Sequence, residues 1–146
     1  MNVRRIALAA VVAWLVSLAI GVFVNDYLFA GMIADNGAAL RSLSDITANL
    51  PIGLGVLLIA FFALSYAYAR GYEGGSGIAE GVRFGVTIGV IIVGFGTVWM
   101  WVMFPLNAQF GVAMMVDSIV EAAIYGAIIG AVYKPSSVAV PRRATV

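Results

Sequence analysis

The chain has no cysteine and no histidine among its 146 residues. That excludes disulfide exchange, thiolate-held metals, iron–sulfur clusters and the usual axial ligand for haem. Zinc built on Cys or His goes with them. No metal site and no cofactor is expected, and only carboxylates, hydroxyls, amides, Arg and Lys remain for polar work. Charge is scarce as well: 10% of the residues are charged and 63% are hydrophobic, whereas a soluble domain carries roughly 25% charged residues. This composition is that of a membrane protein. The length suits one small bundle and leaves no room for a separate soluble domain.

What the chain has in quantity is glycine, and its placement is regular. Gly77, Gly81, Gly85 and Gly89 stand at four-residue spacing at the start of an apolar run that continues to Phe104. On a helix, such positions advance by about 40° per step and form one ridge without side chains. In water each glycine costs about 1 kcal/mol relative to alanine. Between membrane helices the same ridge lets another backbone approach closely. Ser118, Ala122, Gly126 and Gly130 repeat the spacing near the end of the chain, and Ala9, Ala13, Ser17 and Gly21 near its start.

Four spans follow from the apolar runs, at about 6–29, 50–69, 78–104 and 110–133, within a single domain over 1–134. The first is preceded by Arg4 and Arg5 and carries only Ser17 as a polar residue up to Val24. A signal peptide has a shorter apolar core, about 7–15 residues, with a cleavage site close behind; a retained helix is therefore expected. Leu40, Leu43, Ile46 and Leu50 recur at three- and four-residue steps, which fits either a short amphipathic helix on the membrane surface or a connecting loop. Pro51 is expected in the first turn of the second span, where a missing N–H costs nothing. Tyr66, Tyr68 and Tyr72 beside Arg70 read as a headgroup boundary.

Between the second and third spans, Gly71-Tyr-Glu-Gly-Gly-Ser-Gly77 is a tight turn. It lacks the Lys-Ser/Thr and the preceding strand of a phosphate-binding loop. Trp99, Trp101 and Phe104 form a belt before Pro105, and residues 135–146 are expected to be a disordered basic tail.

Four spans put both termini and the glycine-rich turn on one side. Arg4, Arg5, Arg70, Arg83, Lys134, Arg142 and Arg143 fall on that side, and Arg41 alone on the other. The imbalance places the termini in the cytoplasm, and a bacterial inner membrane is the expected location.

Ionisable residues inside a bilayer are candidate sites by default. Glu80 and Arg83, three residues apart, are expected as an ion pair at the cytoplasmic headgroups. Asp117 and Glu121 are different: counting from Phe110, Glu121 lies about 16 Å along its helix, near mid-membrane. Asp117 is one turn nearer the outside on the same face, and Tyr125 one turn further in. Two carboxylates so placed resist ionising together. They are candidates for a proton- or cation-handling site, with Asn25 and Asp26 as possible contributors from the first helix. Two other readings stay open. The acids can act as polar glue to groups such as Ser17, or pair with an Arg of another protein. Glu80-x4-Gly85-x3-Gly89 recurs as Glu121-x4-Gly126-x3-Gly130 on oppositely running helices, a short echo of the inverted repeats of transporters.

With the spans placed, the chain resembles an uncharacterised bacterial family of small four-helix integral membrane proteins, a domain of unknown function. The resemblance lies in Tyr27-Leu-Phe29, the glycine-spaced third helix, and the pattern Val116-Asp117 … Tyr125-Gly126-Ala-Ile-Ile-Gly130-Ala-Val-Tyr133. It implies the all-α, four-helix architecture and no activity.

The surplus of small-residue ridges favours a non-catalytic bundle that self-associates or serves as an accessory subunit of a larger membrane complex. The alternative is a small oligomeric transporter or channel for protons, cations or small solutes that uses Asp117 and Glu121. No nucleophile–base pair is visible, so an enzyme is not expected. The basic residues form no patch for nucleic acid.

Overall fold

A computed structural model describes residues 2–133, all-α, with four helices long and apolar enough to cross a membrane. The chain is thus a multi-pass membrane protein; the tail expected to be disordered lies outside the described residues. The helices are α1 (Val3–Phe23), α2 (Ala30–Asp35), α3 (Leu43–Gly71), α4 (Gly77–Ile92), α5 (Val98–Met103) and α6 (Ala108–Tyr133). A π-helical turn, Val24–Leu28, prolongs α1, and a second, Val93–Thr97, joins α4 to α5 into one span.

Small residues decide which faces meet. Ala9, Ala10, Ala13 and Ser17 form the buried face of α1, which lies against both α3 and α6. Ile6, Phe61, Tyr68, Ile129 and Tyr133 complete the core at that end. Trp14 fastens α1 to α3 by donating its indole N–H to the Leu54 carbonyl at 3.2 Å. The most intimate pairing is between α4 and α6, which run antiparallel with Gly77 on Gly130, Gly81 on Gly126, Gly85 on Ala122, and Gly89 on Ser118 and Ile119. A methyl group added at Gly81, Gly85 or Gly126 would collide with the facing backbone carbonyl. The two ridges are therefore in backbone contact, the arrangement through which membrane helices gain dispersion energy. Helix α6 touches α1, α3, α4 and α5 and is the hub of the bundle.

The second span begins earlier than its apolar run suggests. Ser42 caps α3 by accepting a hydrogen bond from the Asp45 N–H at 3.2 Å, so Leu43, Ile46 and Leu50 belong to the first turns of a 29-residue helix. They are not a separate surface helix. Pro51 consequently lies inside α3 rather than in its first turn. The Ser-x-x-Asp cap outweighs the proline, since membrane helices tolerate an interior Pro whose freed carbonyl finds other partners.

The ion pair expected between Glu80 and Arg83 is not formed among the described residues. The Glu80 carboxylate instead accepts the Gly75 N–H at 2.6 Å and the Glu73 N–H at 3.2 Å. It thereby holds the turn at residues 72–76, where Gly74 has φ +94°, a conformation that suits glycine. Backbone donors with no other partner in a tight turn outcompete a guanidinium one turn along the helix. Tyr72 and Tyr68 finish the turn, donating to the Gly75 and Gly77 carbonyls at 2.9 Å each.

Candidate functional site

Asp117, Glu121 and Tyr125 stand one turn apart on α6, each one residue before a member of its ridge. They therefore lie about 100° round the helix from the surface that α4 covers. All three are half-buried. Tyr125 donates its hydroxyl to Glu121 Oε2 at 2.7 Å, and its ring meets Phe61 of α3 edge-on at 5.2 Å between centroids. Phe61 is buried, so the packing of α3 orients the tyrosine, and the tyrosine orients the carboxylate.

Two cavities flank this face, each of about 360 Å³. One lies between α3, α4 and α6, with Ala60, Phe61, Ile88 and Ile92 in its walls. The other lies between α1, α3 and α6 and reaches Ser17, Asn25 and Thr97. Leu57, Asp117, Ser118, Glu121 and Tyr125 line both. A further cavity of about 390 Å³, towards the loop between the first two spans, shares Asn25, Phe110 and Met114 with the second and has Arg41 on its wall. Among the described residues, no Lys or Arg lines either cavity that holds the two carboxylates.

The π-helical turns converge here. The turn at Val24–Leu28 brings Val24 and Asn25 to the second cavity, and the turn at Val93–Thr97 brings Thr97. Such bulges occur often at functional sites because an extra residue re-aims the side chains around it. Thr97 is buried, and its hydroxyl lies 3.0 Å from that of Ser118. Ser118 donates its one proton to the Met114 carbonyl at 2.8 Å, which leaves Thr97 as the donor between the two hydroxyls.

Of the four polar residues singled out from the sequence, Asp117, Glu121 and Asn25 share a cavity. Asn25 donates to the Gly21 carbonyl at 2.7 Å. Asn25 and Asp26 are both exposed, and Asp26 lines neither carboxylate cavity. Ser17, a possible partner for the acids, donates to the Trp14 carbonyl at 2.7 Å instead. The glycines and small residues of the third and fourth spans are buried against one another within one chain: Gly77, Gly81, Gly85 and Gly89 all are on α4, and Ala122, Gly126 and Gly130 on α6. Thr97 went unnoticed in the sequence, although Gly94 and Gly96 on either side of Phe95 are where a helix departs readily from regular geometry. No family model, curated protein or solved structure matches the chain.

Proposed function

We propose that the protein is a non-enzymatic membrane protein that passes protons or other cations through Asp117 and Glu121. One observation carries this reading. Two carboxylates on the hub helix face half-open cavities whose walls, among the described residues, hold no cationic side chain. An acid in a low-dielectric interior needs a proton, a metal or organic cation, or a basic partner. With no basic residue among the described ones in the cavity walls, the exchangeable cation is the simplest way to neutralise the pair. The shared lining of the three cavities supports a route from the side of Arg41 past Asn25 to the acids. The positive-inside distribution read from the sequence supports a bacterial inner membrane with both termini in the cytoplasm.

Self-association and service in a larger complex are the competing readings, and both drew on spare ridges. With Ala9, Ala13 and Ser17 of α1 and the ridges of α4 and α6 turned inward, any contact with a second copy or another protein would use other surfaces.

The test is proton or cation flux in proteoliposomes under an imposed gradient. Glu121→Gln keeps the shape of the side chain and an acceptor for Tyr125 while removing the charge. Flux is expected to fall by at least about tenfold, as when one member of a desolvated charge pair is removed. Equal flux through wild type and variant would sink the proposal.

A further inference from the structure

We infer that the cation taken by this site is organic and amphipathic, an ammonium or phosphonium centre on an apolar body, entering from the bilayer between α3 and α4. The inference rests on the cation-handling reading above and names its ligand class.

The first cavity carries the argument. Apart from Asp117, Ser118, Glu121 and Tyr125, its walls are apolar: Leu57, Ala60, Phe61 and Leu64 on one side, Ile88 and Ile92 on the other. Among the described residues, the only charges in it are the two carboxylates. It opens at its lips, since Leu57 is 37% and Ile92 45% exposed on helices that face the bilayer. Helices α3 and α4 are joined by the short turn but are not among the closely packed pairs of the bundle; Tyr68 and Phe84 bridge them edge-on near that turn, at 5.5 Å. Further along, the gap between them is this cavity.

The ligand class follows from which oxygens the cavity offers and how they are spread. A hard metal cation seeks about six or more oxygen ligands. Here the oxygen-bearing side chains of the cavity are Asp117, Ser118, Glu121 and Tyr125, all on one helix and spread over two turns, about 12 Å along its axis, too far apart to surround one small ion. Among the described residues no group of three or more acids gathers anywhere. What the cavity offers is two carboxylates, aromatic rings from Phe61 and Tyr125, and aliphatic walls. An ammonium or phosphonium centre asks for those: a counter-charge, ring faces for cation–π contact, and apolar surface for its substituents.

The experiment measures retention of tetraphenylphosphonium by the purified full chain in lipid nanodiscs, with tetraphenylborate as the anion of matching shape. Saturable retention of the phosphonium alone is expected, weakened at least about tenfold in Glu121→Gln. Ala60→Phe, at an exposed position on the lip, narrows the entrance without touching the charges and is expected to weaken retention too. Equal retention of both ions, or retention unchanged in Glu121→Gln, would overturn the inference. So would a chemical cross-link from Glu121 to a Lys of a second protein in the native membrane, because the cleft would then belong to a partner helix. If phosphonium is not retained while Glu121-dependent flux persists, the organic-cation assignment fails and the proposed function stands. If flux is also indifferent to Glu121, both fail.

Discussion

Glycine has opposite consequences at different positions of this chain. At Gly85 a methyl group would run into the Ala122 carbonyl, whereas at Gly53 it would meet nothing within 4 Å. Both residues sit in regular helix, so their intrinsic preference for alanine is the same. Gly85→Ala is therefore expected to destabilise the protein by about 1–3 kcal/mol, the range for overpacking a filled interior. Gly53→Ala should be neutral or stabilising by up to about 1 kcal/mol. Unfolding in mild detergent, followed by circular dichroism, distinguishes the two; equal effects would mean that α4 and α6 are not in backbone contact. The four-residue spacing made the ridges legible in the sequence because a missing side chain is a property of the residue itself. The role of Glu80 was not legible. Its carboxylate serves the backbone of residues 73 and 75, and nothing in the residue types distinguishes that from a pair with Arg83.

The elements repeat this contrast. Hydropathy placed all four spans, because about 20 apolar residues are what a bilayer requires. The boundary of α3 was missed by several residues because its start is set by a cap at Ser42, outside the apolar run. The π-helical turns were missed because they arise from packing rather than from a motif, yet they deliver Asn25 and Thr97 to the cavity. The loop after the first span is also more ordered than its polar composition suggests. Asn36 is buried; it donates to the Met32 carbonyl at 2.7 Å and accepts the Asn107 N–H at 2.8 Å. Asn107 in turn accepts from the Phe110 N–H at 2.8 Å, capping α6. One side chain thus ties the end of α2 to the beginning of the hub helix. Asn36→Ala strands the Asn107 donor and should cost about 1–2 kcal/mol, by the usual penalty for an unsatisfied buried donor. Hydrogen exchange should accelerate at residues 107–110 and stay unchanged at the 72–76 turn. Uniform acceleration across the chain would show that Asn36 does not act as this tie.

At the scale of the molecule, the arrangement is one in which α6 is surrounded. Its ridge is covered by α4, other parts of it meet α1 and α3, and the acids face the cavities that remain. That division could not be read from the chain. Ridges on three helices were visible, but which ridge meets which depends on the simultaneous packing of all four spans. Asp117 and Glu121 were visible as mid-membrane acids, and only the packing decides whether they face lipid, a neighbouring helix or open space. The absence of cysteine makes this directly measurable, since a single introduced thiol is the only one in the protein. Asp117→Cys puts a thiol on the cavity wall, while Val116→Cys puts one on the outer surface of α6, where Val116 is 56% exposed. In liposomes, a membrane-impermeant cationic thiosulfonate is expected to label position 117, faster than its anionic counterpart, and to leave position 116 unlabelled. Labelling at 116 but not at 117, or equal rates for the two reagents at 117, would contradict a cation-accepting cavity at the acids.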